Sequence, residues 1–227
     1  TEEGGKLVNT PKYNAADNLQ ARSIKGRIDE AGNLDMNVTT KYAALQQDYL
    51  SGVINGLSKD KVKKLLNKEL DLSSYDIADF AYSSKKDRLP EVEESLKISV
   101  ANYATVSGRR LFIVPNVMSR NGQKISVVDG RTADYVFDYP YRDMDSIEII
   151  IPAGYTLEAV QPDVALNTKF GSYSSKVKLE GNKIIYYRSI EQWSGRYPAS
   201  DGAAIADFYS TIYKADRSRV VLVKKDD

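Results

Sequence analysis

The stretch that most constrains this chain is residues 170–198, FGSYSSKVKLEGNKIIYYRSIEQWSGRYP. Gly181-Asn182 sits between two runs rich in β-formers. Gly followed by Asn is a two-residue hairpin signal, because both residues tolerate φ > 0 and the primed turns match strand twist. A turn there opposes Glu180 with Lys183, Leu179 with Ile184, Lys178 with Ile185 and Val177 with Tyr186. Val177, Leu179, Ile184 and Tyr186 then share one face, and an opposite-charge pair flanks the turn. Lys176, Lys178, Ile185 and Tyr187 share the other, a mixed face that is solvated or partly covered. The apolar face needs further strands to cover it.

The rest of the chain supplies them. Lys6-Leu7-Val8 is a short strand candidate ended by Pro11, and residues 19–44 read as a second hairpin. A three-residue loop at Ala31, Gly32 and Asn33 pairs Ile28 with Met36 and Ile24 with Thr40, leaving Val38 opposite Gly26. Leu45, Tyr49, Val53 and Leu57 then recur at helical spacing until Gly56 weakens the pattern. Ser58 caps a second helix with Val62, Leu65, Leu66 and Leu70 on its apolar stripe; Lys59, Lys61, Lys63, Lys64 and Lys68 form a solvated face. From Ser74 the period returns towards 2, predicting strands at 77–83, 91–105 and 109–114. In the second of these, Val92, Leu96, Ile98 and Val100 alternate, with an interruption at Glu94. Asn121-Gly122 is a type I′ turn signal with weakly alternating flanks, so residues 116–131 read as a long loop or minor hairpin.

Tyr135, Phe137 and Tyr139 alternate in a strand ended by Pro140, and Ile147, Ile149 and Ile151 line one side of the next. Ile150 on its other side marks that strand as central. Residues 155–160 form another strand, and a connector leads to the hairpin. Residues 200–216 read as a helix capped by Ser200, with Ile205, Phe208, Tyr209, Ile212 and Tyr213 as its face. Residues 220–223 end the chain as an apolar strand buried on both faces. The pattern predicts a mainly β fold: an antiparallel two-sheet sandwich, jelly-roll or Greek-key-like, with a helical pair near residues 45–70 and a C-terminal helix near 200–216. The connectors are too short and apolar to be linkers, so residues 1–227 read as a single unit in preference to a boundary near 72–75.

Absences decide more about chemistry than presences. The 227 residues contain no Cys and no His, so thiolate nucleophiles, Ser-His-Asp triads and His- or Cys-ligated zinc are impossible within this chain. Charge is balanced, with 32 basic against 31 acidic residues, which argues against nucleic acid as the main partner because phosphate binding needs a basic surplus on one face. Tyrosine is over-used, at 16 against 5 Phe and 1 Trp, as suits half-buried strands whose hydroxyls reach the surface. No apolar run approaches the ~20 residues that cross a bilayer. The chain starts at Thr1 rather than Met, as expected of a piece of a longer protein.

Tyr139-Pro140-Tyr141-Arg142, Ile149-Ile150-Ile151-Pro152-Ala153-Gly154-Tyr155 and Thr168-Lys169-Phe170-Gly171-Ser172-Tyr173 form a distinctive order with Gly181-Asn182, Gly195-Arg196-Tyr197-Pro198 and Asp207-Phe208-Tyr209. It resembles the C-terminal domain of unknown function in multidomain Bacteroidetes proteins that are similar to transglutaminase-like cysteine peptidases. Residues 3–11, EGGKLVNTP, are similar to the segment that follows the core of those proteins. The resemblance implies a periplasmic or extracellular location and a transglutaminase-like core domain of the same parent chain as partner. That core needs Cys, His and Asp, so no catalytic residue carries over, and the resemblance implies a non-catalytic accessory domain without cofactor.

Three candidate sites follow from the residues. Trp193, Arg196 and Tyr197, with Ser194 and Gly195, could stack on a sugar ring or grip a peptide; the competing reading packs Trp193 into the core and uses Tyr197-Pro198 to shape the turn. Asp129, Asp134, Asp138, Asp143 and Asp145 cluster in sequence and could hold calcium, although no EF-hand spacing is present and solvated strand ends are the simpler reading. A glycosidase-like carboxylate pair is the one hydrolytic chemistry the composition leaves open.

Overall fold

The computed structural model describes residues 4–5, 9–123, 125–127 and 130–225; Lys6-Leu7-Val8 and Asp129 lie outside them. The strands are β1 (Leu19–Ile28), β2 (Leu34–Ala43), β3 (Tyr75–Lys85), β4 (Glu91–Val100), β5 (Thr105–Ser107), β6 (Arg110–Ile113), β7 (Tyr135–Phe137), β8 (Tyr141–Ile150), β9 (Tyr155–Ala159), β10 (Val164–Thr168), β11 (Gly171–Glu180), β12 (Lys183–Gln192), β13 (Gly195–Tyr197) and β14 (Val220–Lys224). The helices are α1 (Asp48–Gly56), α2 (Lys59–Glu69) and α3 (Gly202–Ala215).

The fold is mainly β and sandwich-like. An eight-stranded sheet runs β10-β11-β12-β8-β1-β2-β4-β3, a four-stranded sheet runs β5-β6-β14-β9, and β13 and β7 form a ribbon. Pairing is antiparallel except at the centre, where β1 and β8 are parallel with Ile24 opposite Ile147. Strands on both sides of residues 72–75 enter the same large sheet. The β11–β12 hairpin has the register read from Gly181-Asn182, Glu180 opposite Lys183 through Val177 opposite Tyr186, and Gly181 takes φ +58°.

One face of the large sheet is dry. Ile24, Val38, Ile98, Ile147, Ile149 and Ile184 are each at most 1% exposed and pack with Leu111, Ile113 and Leu222 of the small sheet and with Val62 and Leu66 of α2. A second apolar cluster joins Phe170, Tyr173 and Ile190 to Ile205, Phe208, Tyr209 and Ile212 of α3. Each fully buried aliphatic side chain is worth about 1.5–3 kcal/mol of transfer free energy, so these two clusters dominate cohesion.

Several local expectations are corrected. In the β1–β2 hairpin Ile28 faces Leu34 and Ile24 faces Val38. The three-residue loop is therefore Glu30, Ala31 and Gly32, one position earlier than the sequence suggested. The cause is Asp29: its Oδ1 accepts the Asn33 backbone N–H at 2.8 Å and its Oδ2 accepts Asn33 Nδ2 at 2.9 Å, making these two residues the last pair. The shift is by an even number of partners, so no side chain changes face. The segment before the β11–β12 hairpin is a strand, β10, pairing Val164 with Ser175. Glu94 does not interrupt β4, because it is 4% exposed on the same side as Val92 and Leu96. Leu45 and Tyr49 are exposed, at 42% and 59%, and α1 buries no residue; it is held to α2 by Tyr49 Oη donating to Glu69 at 2.6 Å. Neither Ser58 nor Ser200 makes a capping hydrogen bond, and Ser200 lies in a 3-10 turn that precedes α3. In β14 Val220 and Leu222 are buried, but Val221 and Val223 are only half-buried.

Gly32 has φ +86°, and a Cβ there would lie 2.4 Å from the Ala104 carbonyl oxygen. Gly108 also has positive φ, at +56°, but faces open space. Gly32→Ala is expected to lower stability by about 2–3 kcal/mol and Gly108→Ala by about 1 kcal/mol. Urea midpoints of the two variants check this ordering; equal losses would mean the Ala104 contact is not tight.

Candidate functional site

Four charged residues of the strands, Arg22, Glu94, Asp145 and Arg188, gather on the covered face of the large sheet. Cross-strand register aligns Ser175 with Arg188, Arg188 with Asp145, Asp145 with Arg22, Arg22 with Thr40, Thr40 with Glu94 and Glu94 with Tyr82. This is a single polar row crossing seven of the eight strands on the covered face. Hydrogen bonds run along it. Arg188 Nη1 donates to Asp145 Oδ2 at 3.2 Å, and Asp145 Oδ1 accepts from Ser119 Oγ. Arg22 donates to Ser119 Oγ at 2.7 Å, Thr40 Oγ1 at 3.1 Å and Tyr42 Oη at 3.3 Å. Glu94 accepts from Tyr42 at 3.3 Å and Tyr82 at 2.7 Å.

Arg188 is the centre. Its Nε and Nη2 grip the two carboxylate oxygens of Asp216 at 2.7 and 3.1 Å. The side chains of Arg188, Asp145 and Asp216 are 3%, 0% and 0% exposed. Asp216 follows α3, where a carboxylate meets the negative end of the helix dipole. That cost is offset by the guanidinium fork, by Tyr173 Oη donating at 2.8 Å and by the Asn121 N–H donating at 2.8 Å. Burial alone would pull the Arg188 pKa down, but the Asp216 and Asp145 carboxylates outweigh it and raise it. Burial raises the Glu94 pKa against the opposing Tyr82 hydrogen bond and Arg22 charge. Asp143, beside Asp145 on β8, is pushed up to about 6, chiefly by burial, with Arg188 opposing; its Oδ1 accepts from Gln46 at 2.8 Å. The hydroxyls of Tyr42 and Tyr82, and of Tyr173 beside Asp216, are likewise raised by burial, that of Tyr173 to about 12. Every oxygen of Asp145 and Asp216 has a donor, so the arrangement orients strands rather than presenting a free acid or base.

Sequence reasoning did not find this row. Its signal was there: Arg22, Glu94, Asp145 and Arg188 each share strand parity with buried apolar neighbours, and two are positive and two negative.

Of the residues singled out from sequence, Asp145 lies in this row and Asp143 beside it, whereas Trp193, Arg196 and Tyr197 lie elsewhere. Trp193 is half-buried and its Nε1 donates to Glu191 at 3.1 Å. Arg196 is exposed and pairs with Asp134 at 3.5 Å. Tyr197 stacks edge-on against Phe137 and Phe170, with centroids 5.2 and 5.0 Å away, and donates to the Lys169 carbonyl at 3.1 Å. Of the aspartates, Asp145 is tied to Arg188 and Asp134 to Arg196. No group of three potential metal ligands converges among the described residues.

On the opposite, uncovered face of the large sheet lies a depression of about 510 Å³ floored by Ala21, Ser23, Ser146, Ser189, Met144 and Tyr187. Small side chains leave Met144 and Tyr187 46% and 50% exposed.

Residues 109–222, half of the chain, match the family described as a domain of unknown function with a solved structure, DUF3858. The chain belongs to that family. The DUF3858 segment runs from just before β6 into β14, so it contains Asp145, Arg188 and Asp216, while Arg22, Thr40, Tyr82 and Glu94 precede it. A solved structure from Parabacteroides distasonis ATCC 8503, named a putative protease, aligns with 92% of this chain and 100% of its own at 6% identity and a TM-score of 0.34. No curated protein matches the chain.

Arg188→Met leaves two buried carboxylates without their cation and is expected to cost about 3–5 kcal/mol; Arg188→Lys, which keeps the charge but not the fork, should lose less. Chemical denaturation reads both. Asp143 supplies a pH test. A carboxyl whose folded pKa lies above its unfolded value binds its proton more tightly when folded, so its contribution to stability falls as pH rises from about 4 to about 6. Asp143→Asn should flatten that decline, and an NMR titration placing Asp143 near pH 4 would contradict the assignment.

Proposed function

We propose that the chain is a non-catalytic accessory domain that packs on a transglutaminase-like core of its parent protein. The observation that carries this reading is the closed network around Arg188: Arg188, Asp145 and Asp216 are engaged with one another and tie the large sheet to the end of α3 as a platform. Absence of Cys and His from the sequence supports the same reading, because the core's nucleophilic chemistry has no residues here. The docking face is the open side of the large sheet, where Met144 and Tyr187 form an exposed apolar floor. Its setting among serines and lysines suits a partly polar interdomain contact. A periplasmic or extracellular location belongs to the same proposal and rests on the family resemblance.

Two measurements test it. The isolated chain should show no peptidase or transglutaminase turnover. Met144→Lys/Tyr187→Glu should weaken association with the separately expressed core at least about ten-fold, as expected when apolar anchors at an interface centre are lost, with an unchanged melting temperature. Turnover abolished by one substitution in this chain, or association indifferent to the double variant, would overturn the reading.

A further inference from the structure

A second surface lies on the far side of the small sheet. Phe112 on β6, Val221 on β14 and Ala159 on β9 are register partners that point away from the buried Leu111, Ile113, Val220 and Leu222. With Val160, 39% exposed, they floor an open groove of about 650 Å³. Its wall is the last turn of α3 and the turn that follows, which contribute Lys214, Arg217 and Arg219. Among the described residues no aspartate or glutamate lines the groove, although the whole chain is nearly neutral at +1.

The plainest explanation of such cations is a helix C-terminus, whose carbonyls and dipole attract positive charge. It accounts for Lys214, in the last turn of α3, and for Arg217. The Arg217 guanidinium lies 3.6 Å from the Tyr213 ring centroid and donates to the Asn121 and Tyr213 carbonyls at 2.8 and 3.2 Å. It does not account for Arg219, which stands past the helix, exposed at the entry to β14. Neither Lys214 nor Arg219 has an ion-pair partner among the described residues. Three full positive charges also exceed the roughly half charge of a helix end. The groove is thus cationic at its wall and apolar at its floor.

We infer that this groove docks an acidic peptide segment of a partner protein, one with apolar side chains between its carboxylates. Charge complementarity with Lys214, Arg217 and Arg219 selects the carboxylates, while Phe112, Val160 and Val221 take the apolar side chains. A bare polyanion would satisfy the wall and leave the floor wet, which is why a peptide fits better than a phosphate backbone. The groove shares no residue with the Met144–Tyr187 face, so either proposal can fail without the other.

The probe is a blocked hexapeptide, two glutamates, leucine, phenylalanine and two glutamates, titrated into the full chain at low salt with amide NMR detection. Shifts should centre on Val160, Lys214 and Val221, and affinity should fall when ionic strength is raised to about 0.5 M. Lys214→Glu/Arg219→Glu should weaken binding roughly ten-fold or more, while Met144→Lys/Tyr187→Glu should leave it unchanged. Both cationic positions are exposed, and an unaltered melting temperature shows that the variant folds. The inference is overturned if no shifts occur, if shifts centre elsewhere, if the charge-reversed variant binds as well, or if the glutamine version of the peptide binds equally.

Discussion

The structure depends on the guanidinium of Arg188 being held on three sides inside a sheet. Removing a cation from water costs several kcal/mol, and only well-placed carboxylates recover it. Asp216 supplies a two-point grip and Asp145 a third contact. Those two residues come from the end of α3 and the centre of the large sheet, so satisfying one side chain fixes the helix against β12 and β8. The loop that carries Ser119 and Asn121 is drawn in by the same demand, since both donate to these carboxylates. Net stability over an apolar equivalent is small for such a cluster. What it supplies is discrimination: a two-residue slip of β12 along β8 that sets Arg188 opposite Ile147 also sets Asp145 opposite Ile190 and leaves both buried charges unpaired.

That constraint also explains how the two parts of the chain become one sheet. The DUF3858 segment contributes β8, β10, β11 and β12, while β1 to β4 come earlier. The seam is the parallel β1–β8 pair, and the polar row crosses it where Asp145 meets Arg22. Asn18, fully buried just ahead of β1, reinforces the seam: its Nδ2 donates to the Pro140 carbonyl at 2.8 Å and its own carbonyl accepts the Arg142 N–H at 2.9 Å. Parallel pairing is confined to this pair at the centre of the sheet, whose outer side is open, with Ser23, Lys25 and Arg27 of β1 exposed.

With the ionisable groups of the row turned inwards, the surfaces left for recognition are shaped by what is small or unpaired. Serines and Ala21 expose Met144 and Tyr187 on one face of the molecule. Cations at the end of α3 rim an apolar strip on another. The two differ in character, one largely apolar and one cationic at its wall. Tyr197, by contrast, is committed to the cluster around α3, where it meets Phe137 and Phe170.

Local chemistry was legible in the sequence wherever a turn or a period dictated it. Gly181-Asn182 determined the register of the β11–β12 hairpin, because a two-residue turn leaves one pairing open. The isoleucines of β8 announced a central strand, and the spacing of Ile205, Phe208, Tyr209 and Ile212 announced the face of α3. Absence of Cys and His means that these 227 residues supply no thiolate and no imidazole. The β1–β2 loop was misplaced by one residue because the deciding interaction was a side-chain bond from Asp29 to Asn33, which a turn template does not weigh. Glu94 looked like a break because a lone carboxylate on an apolar face has no evident partner in its own strand. Its partners, Tyr42, Tyr82 and Arg22, come from three other strands, and those of Arg188 come from β8 and from beyond α3. Only the tertiary structure decides such pairings, since a buried charge is tolerable through neighbours far away in the chain and local sequence cannot name them.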